Sequence, residues 1–247
     1  MESTIEQISK VIDGSDNIVF FGGAGLSTES GIPDFRSVDG LYNQQYDYPP
    51  EQILSYSFFK SNPEVFFRFC REKCLKPILN AKPNPAHLAL AKLEHMGKLK
   101  AVLTQNIDGL HQAAGSKEVL EIHGTLHSHT CVDCGKKYTL EDVLKTEGIP
   151  RCTCGGIIRP DIVLYEEGLD SSLLEKSVVY ISKADCLIVS GSSLVVQPAA
   201  SLINYYRGNK LILINKDPLP ADQYANCYIH GKAGEIFEQI MKYVDKN

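Results

Sequence analysis

The sequence predicts an α/β fold: a Rossmann-like, doubly wound parallel sheet with a small zinc-binding insertion domain and a helical insertion. Three observations lead there. Short β-branched runs alternate with helical segments along most of the chain, the rhythm of a parallel sheet covered on both faces. The first run, Ile18-Val-Phe-Phe21, is apolar throughout and stops at Gly22-Gly-Ala-Gly25, the pattern of a fully buried strand leading into a loop that a ligand approaches closely. Four cysteines in two close pairs then interrupt the alternation between residues 124 and 158. At 247 residues the chain suffices for one large domain carrying insertions.

The elements follow in order. Ile5, Ile8 and Ile12 recur at helical spacing and predict an amphipathic helix over 3–12. After the strand, Leu26 to Ser30 is read as the start of a helix, which presents a positive N-terminus to a phosphate. The strict G-x-G-x-x-G pattern is not met, because Thr28 stands at its third position. Residues 37–50 read as a polar loop, and 57–76 as a helix interrupted near Asn62-Pro63. Asn84-Pro85 is an N-cap followed by proline at the first helical position. Strands are expected at 101–104, 119–122, 186–189, 211–214 and 227–229, and helices over 108–114, 173–181, 198–206 and 233–244; Ile162-Val-Leu-Tyr165 reads as extended. Residues 37–80 and 124–158 break the alternation. The expected division is a Rossmann-like domain of 1–36, 81–123 and 159–247, a helical insertion over 37–80 and a zinc module over 124–158.

Polar residues gather where strands end, the address at which doubly wound folds bind ligands. Thr104-Gln105-Asn106-Ile107-Asp108 closes one strand and Glu121-Ile-His123-Gly124 the next. Asn and Asp before glycine also serve ordinary turns, whereas His123 has the ordinary pKa of a general base at neutral pH. Gly191-Ser192-Ser193 and Asn215-Lys216 end two further strands with hydroxyls, an amide and a cation, groups suited to ribose and phosphate.

Cys131-x-x-Cys134 and Cys152-x-Cys154 supply four thiolates, enough to close a tetrahedral shell around a structural zinc ion. Free buried thiols or a redox pair are the competing readings, and His127 and His129 stand near enough to replace one ligand. Clustered cysteines, no apolar run of membrane length and no secretory leader predict a cytoplasmic protein with no membrane role. A formal net charge of −5 excludes nucleic-acid binding through the overall field, and no specific nucleic acid is expected.

Taken in order, Gly23-Ala-Gly-Leu-Ser27, Gly31-Ile-Pro-Asp-Phe-Arg36, Thr104-Gln-Asn-Ile-Asp108, His123-Gly124, the four cysteines, Arg159-Pro-Asp-Ile-Val163 and Gly191-Ser-Ser-Leu194 resemble the sirtuins, NAD-dependent protein lysine deacylases, and the short bacterial-type members in particular. The resemblance spans nearly the entire chain. It implies NAD and an acetyl-lysine protein or peptide bound in a cleft between the Rossmann-like domain and a module holding one structural Zn2+. It implies His123 as general base with Asn106 at the reacting ribose beside Gln105. Gly23, Ala24, Gly25, Thr28 and Arg36 fall to the phosphates and Phe35 to the nicotinamide ribose. Ile107 and Asp108 fall to the nicotinamide carboxamide, and Ser192, Ser193, Asn215, Lys216, Lys232 and Ala233 to the adenosine half. The substrate backbone adds as a strand between 166–168 and 195–197. The implied products are nicotinamide, deacylated lysine and 2′-O-acyl-ADP-ribose. An ADP-ribosyltransferase and a non-catalytic zinc and NAD-binding module are the alternatives.

Two departures from the family pattern carry expectations. Many relatives read Phe-Gly-Glu where this chain has Tyr165-Glu166-Glu167, and the extra carboxylate is expected to favour basic residues beside the acyl-lysine. Relatives that remove succinyl or malonyl groups carry a Tyr-x-x-Arg pair, whose nearest counterparts here are Phe67 and Cys70. Uncharged acyl groups are therefore the expected substrates.

Overall fold

The computed structural model describes residues 2–35, 40–44 and 46–245, and their strands form two sheets. In chain order these are β1 (Ile18–Gly22), β2 (Leu99–Thr104), β3 (Val119–Glu121), β4 (Gly124–Cys131), β5 (Lys137–Thr139), β6 (Ile158–Ile162), β7 (Cys186–Ser190), β8 (Leu211–Asn215) and β9 (Cys227–His230). Six of them lie in one sheet in the order β3-β2-β1-β7-β8-β9, every neighbouring pair parallel. Counted within that sheet alone, this is the doubly wound order whose direction of winding reverses between the first and fourth strands. Here the reversal falls between β1 and β7.

Residues of β1 alternate between two cores. Ile18 and Phe20 pack with Ile5, Ile8, Ile12, Phe237 and Ile240 on one face. Val19 and Phe21 pack with Leu103, Leu187, Ile181 and Leu202 on the other. The period of two thus puts every side chain of the strand out of water, which its continuous apolar run requires. The N-terminal helix Glu2–Asp13 and the C-terminal helix Ala233–Val244 cover the first face together with the helix Pro85–His95.

The second sheet, in the order β5-β4-β6, is antiparallel and carries the cysteines at its far end. Its strand β6 starts at Ile158 and runs into the Arg159-Pro-Asp-Ile segment, pairing Cys131 with Ile158 and Gly124 with Ile162. The helical insertion packs on this small sheet through an aromatic cluster of Phe58, Phe59, Phe66 and Phe67 with Leu126, Ile162 and Leu164. Phe59, Phe66 and Phe67 meet edge to face at ring distances of 5.0 and 5.2 Å, the geometry that ring quadrupoles favour.

Three local expectations differ from the structure. The helix expected over 57–76 is interrupted at Asn62 as expected, giving Tyr56–Ser61 and Pro63–Phe69, but it then widens to a π-turn at Cys70–Leu75 before Lys76–Asn80. Pro77 explains the widening: it offers no N–H and its ring needs room where an α-turn has a carbonyl. No α-helix begins at Leu26. Two 3₁₀ turns, Ala24–Leu26 and Thr28–Ser30, occupy the stretch and end at Gly31 in the left-handed region. The helix dipole expected to face a phosphate is therefore absent at this loop. Residues 198–206 likewise form a 3₁₀ segment, Ala199–Tyr205.

The strand ends at the reversal point touch through glycines. A Cβ on Gly191, whose φ is +64°, would lie 2.2 Å from the Leu26 nitrogen, and one on Gly23 would lie 2.8 Å from the Gly191 carbonyl oxygen. Gly31 also has positive φ, yet open space surrounds its would-be Cβ. Gly31→Ala should therefore cost only the backbone term, about 1–2 kcal/mol, while Gly191→Ala adds a backbone collision and should cost about 3 kcal/mol or more. Urea unfolding of the two variants separates these effects, and equal losses would refute the close contact.

Candidate active site

A cleft of about 740 Å³ opens at the reversal between β1 and β7. Every residue that the sequence assigns to NAD lines it, from Gly23, Ala24, Gly25, Thr28 and Phe35 through Gln105–Asp108 and His123 to Ser192, Ser193, Asn215, Lys216, Lys232 and Ala233, with one exception. Arg36 lies outside the described residues.

The floor of the cleft is a buried polar network. Ser27 Oγ donates to Asp108 Oδ2 at 2.7 Å and accepts from Asn106 Nδ2 at 3.0 Å. Asp108 Oδ1 accepts the Leu110 N–H at 2.9 Å, and Thr104 Oγ1 accepts the Asn106 N–H at 3.0 Å. Asn106 and Asp108 are each only 7% exposed, a burial that would be costly without these partners. Gly109 follows at φ +73°, and a Cβ there would fall 2.5 Å from His127 Nε2, which contacts the Asp108 carbonyl oxygen at 2.9 Å. Ser27 is the residue that sequence reasoning left out of the site. Its one signal is a hydroxyl two residues after the glycine loop.

His123 sits in the chain just beyond β3. Its Nδ1 lies 3.1 Å from the Gln105 carbonyl oxygen, and a carbonyl can only accept, so Nδ1 carries the proton. The lone pair of the neutral ring is left on Nε2. Burial pushes the ring's pKa below its ordinary value against the opposing pull of the Gln105 carbonyl. Gln105 is itself fixed: its N–H donates to the Gly22 carbonyl oxygen at 3.0 Å, and its Nε2 to Ser192 Oγ at 2.9 Å.

Across the cleft, Ser192 and Asn215 clasp each other. The Ser192 N–H donates to Asn215 Oδ1 at 3.2 Å and Asn215 Nδ2 donates to the Ser192 carbonyl oxygen at 2.7 Å. Ser193, Lys216 and Lys232 are exposed at the rim, where Lys232 pairs with Glu235 at 3.0 Å. Phe35 packs against the Tyr42 ring, centroids 5.5 Å apart, and the Tyr42 hydroxyl lies 2.7 Å from that of Tyr165.

The structure shows what holds Glu166 in place. The backbone there has φ +77°, a conformation that suits the glycine many relatives carry and strains other residues. The exposed carboxylate accepts the Ser57 N–H and hydroxyl, both at 2.9 Å. Glu167 holds Arg159 in two bonds of 2.7 and 2.8 Å and accepts the Leu164 N–H. Both carboxylates carry bonds within the fold, and both residues also line the cleft.

At the end of the small sheet, the sulfurs of Cys131, Cys134, Cys152 and Cys154 all lie within 4.8 Å of one another. The contacts Cys131–Cys154 and Cys134–Cys152 measure 3.5 and 3.6 Å, close to the roughly 3.8 Å edge of a tetrahedron with about 2.3 Å zinc–sulfur bonds. The short Cys-x-Cys pair closes because Gly156 follows it: a Cβ there would lie 2.7 Å from Cys131 Sγ. The Cys154 N–H and the Tyr138 hydroxyl bond the Cys152 sulfur and hold that thiol down to about 5. The four thiols thus fit one structural Zn2+, with no vacant corner for chemistry. His127 and His129 are not part of the cluster.

The family model described as the Sir2 family matches residues 23–198. The chain belongs to the Sir2 family. It is 56% identical over 241 residues to the NAD-dependent protein deacetylase of Clostridium acetobutylicum, covering 96% of this chain and 98% of that one. A protein of the same name from Staphylococcus aureus is 45% identical, covering 98% and 99%. Among solved structures, a Sir2 enzyme holding a p53 peptide and NAD+ superposes with a TM-score of 0.87 at 41% identity, covering 98% of this chain and 99% of that one. Another, with a deacetylated p53 peptide and 3′-O-acetyl-ADP-ribose, gives 0.90 at 41%, covering 97% and 98%.

For this Sir2 protein, one zinc per chain is expected by elemental analysis. Cys154→Ser should lose most of the metal and lower Tm, whereas Cys227→Ser, outside the cluster, should keep it. Full zinc in Cys154→Ser would contradict the four-thiolate site.

Proposed function

We infer that the cleft joins NAD to an acyl-lysine peptide: the protein is an NAD-dependent protein lysine deacetylase that yields nicotinamide, deacylated lysine and O-acyl-ADP-ribose. The observation that carries this reading is the fixed tautomer of His123, which leaves Nε2 as a base in a cleft floored by amide, carboxylate and hydroxyl groups. A module that only bound NAD would need no base there. Membership of the Sir2 family and the NAD-dependent deacetylases among its relatives support the same reading.

NAD supplies the electrophilic anomeric carbon and the ribose that departs with the acyl group. In this reading His123 Nε2 takes a proton from a ribose hydroxyl once nicotinamide has left. Asn106 and Gln105 stand beside that ribose, and Ile107 with Asp108 receives the nicotinamide carboxamide. Ser27 keeps Asp108 oriented. The Gly23–Gly25 main chain, Thr28 and Arg36 hold the phosphates, and Phe35 covers the nicotinamide ribose. Ser193, Lys216, Lys232 and Ala233 flank the adenosine half, while Ser192 and Asn215 shape the loop beneath it. The acyl-lysine strand enters between 166–168 and 195–197, at the junction of the Rossmann-like domain (1–36, 81–123, 159–247) with the zinc module (124–158) and helical insertion (37–80). We place the protein in the cytoplasm, where its thiol cluster stays reduced; among the described residues no helix is long and apolar enough to cross a membrane.

His123→Ala should abolish deacetylation of an acetyl-lysine peptide. Because burial lowers the His123 pKa, the neutral base persists below the ordinary histidine range, and the acid limb of kcat/KM should fall through a midpoint below about 6.5. A midpoint above that value, or full activity in His123→Ala, would overturn the assignment. Labelled NAD distinguishes the transferase alternative, since transfer leaves label on protein and deacylation releases it as acyl-ADP-ribose.

Acyl choice follows from the helical insertion. Phe67 and Cys70 are buried in its aromatic core, 4% and 2% exposed, and offer no cation to a substrate carboxylate. Acetyl-lysine should be removed at least about tenfold faster than succinyl-lysine, the margin of one unpaired buried charge. Comparable kcat/KM values for the two peptides would refute this.

A further inference from the structure

The loop that follows β1 has no helix of its own to hold it. Its two 3₁₀ turns span residues 24–30, too short to be rigid by their own hydrogen bonds. Besides the bonds of Ser27 and Gly25, two side-chain contacts grip it, each made at the N-terminus of a longer helix elsewhere in the chain. Asn84 caps Pro85–His95: its Oδ1 accepts the Ala86 N–H at 3.0 Å, and the His87 ring returns the favour by accepting the Asn84 N–H. The carboxamide has donors to spare, and Nδ2 donates to the Leu26 carbonyl oxygen at 2.7 Å and to Ser30 Oγ at 3.1 Å. On the far side Glu29, within the loop, reaches the helix Ala233–Val244 and accepts the Gly234 N–H at 2.6 Å. That contact is tight enough that a Cβ on Gly234 would lie 2.9 Å from the carboxylate oxygens.

We propose that Asn84 and Glu29 are positioning residues for NAD: they clamp the loop between two helix N-termini so that it stands preorganised for the pyrophosphate. Neither lies among the residues that touch the cofactor in the reading above, and neither Asn84 nor Glu29 lines the cleft. The capping half of Asn84 needs only an acceptor oxygen, which serine or aspartate supplies equally well. The loop half needs the amide donors, which neither can supply at that reach. Substitution therefore separates helix stability from loop position. Glu29 divides in the same way, because glutamine keeps an acceptor for Gly234 N–H and alanine does not.

The inference rests on the cleft being the NAD site, and its test separates the two. ADP-ribose binding is measured by calorimetry on the full chain, alongside steady-state kinetics with NAD and an acetyl-lysine peptide. The wild type should bind ADP-ribose; absence of binding would overturn the reading of the site itself. Asn84→Ser and Glu29→Ala should each weaken ADP-ribose binding and raise KM for NAD by roughly fivefold or more, the worth of a buried hydrogen bond. KM for the peptide should stay within twofold, and Glu29→Gln should restore most of the NAD affinity. Asn84→Asp, which keeps the cap but turns lone pairs toward the Leu26 carbonyl, should exceed Asn84→Ser. Wild-type affinity in Asn84→Ser would overturn the proposal. So would a rise of both KM values together with a fall in Tm, the signature of a merely structural role.

Discussion

The site depends on one close contact, the glycine-to-glycine approach of the loops after β1 and β7. Gly23 and Gly25 press on the Gly191 backbone, and Gly25 N–H donates to the Gly191 carbonyl oxygen at 2.8 Å. No side chain fits between them. The contact fixes the spacing of the two strand ends at the point where the sheet's winding reverses, and a reversal is where helices diverge to opposite faces and leave a crevice. The loops after β1 and β7 are thus one rigid unit, and the polar residues that follow β2 and β8 are presented into the space beside it.

From that unit the network spreads by shared hydrogen bonds rather than by separate sites. Gln105 donates its N–H to the carbonyl of Gly22 at the end of β1, lends its side chain to Ser192 after β7, and offers its own carbonyl to His123 after β3. One residue therefore couples three strand ends. Ser27 does the same for Asn106 and Asp108. In a low-dielectric pocket each such bond is stronger than in water and each missing partner costs more, so the arrangement specifies one geometry. The His123 tautomer is a product of backbone placement and needs no carboxylate behind the imidazole.

The sheet, the cysteine cluster and the address of the site were legible because they are written in local patterns. Apolar runs of period two, paired cysteines and strand-end glycines each have few physical solutions. Ser27 and Asn84 were not legible as partners of Asp108 and Leu26, since the contacts cross 81 and 58 residues of chain and serine or asparagine at those places has an adequate local reading. The missing helix at Leu26 has the same origin. Thr28 Oγ1 turns back on the Gly25 carbonyl at 3.0 Å and Ser27 is drawn inward to Asp108, so tertiary bonds outcompete a weak helical preference. Pro77, by contrast, was readable in principle: a proline within a helical pattern announces a break one turn earlier.

Glu166 shows how a backbone conformation and a side-chain bond support each other. Its left-handed backbone is a position for glycine, and a β-carbon there carries a cost of about 1–2 kcal/mol. The carboxylate offsets that cost by accepting two bonds from Ser57 at the start of Tyr56–Ser61, where the exposed N–H groups of a helix favour an anion. Position and side chain are thus one solution: the turn aims the carboxylate at the helix, and the bond to the helix pays for the turn. The effect is to tie the zinc module's exit strand to the helical insertion beside the cleft. Tyr165, one residue earlier, bridges to Leu54 and Tyr56 through its main chain and to Tyr42 through its hydroxyl. Glu167, one residue later, locks Arg159. Three consecutive residues, Tyr165 to Glu167, thus fasten two insertions into a single wall of the cleft.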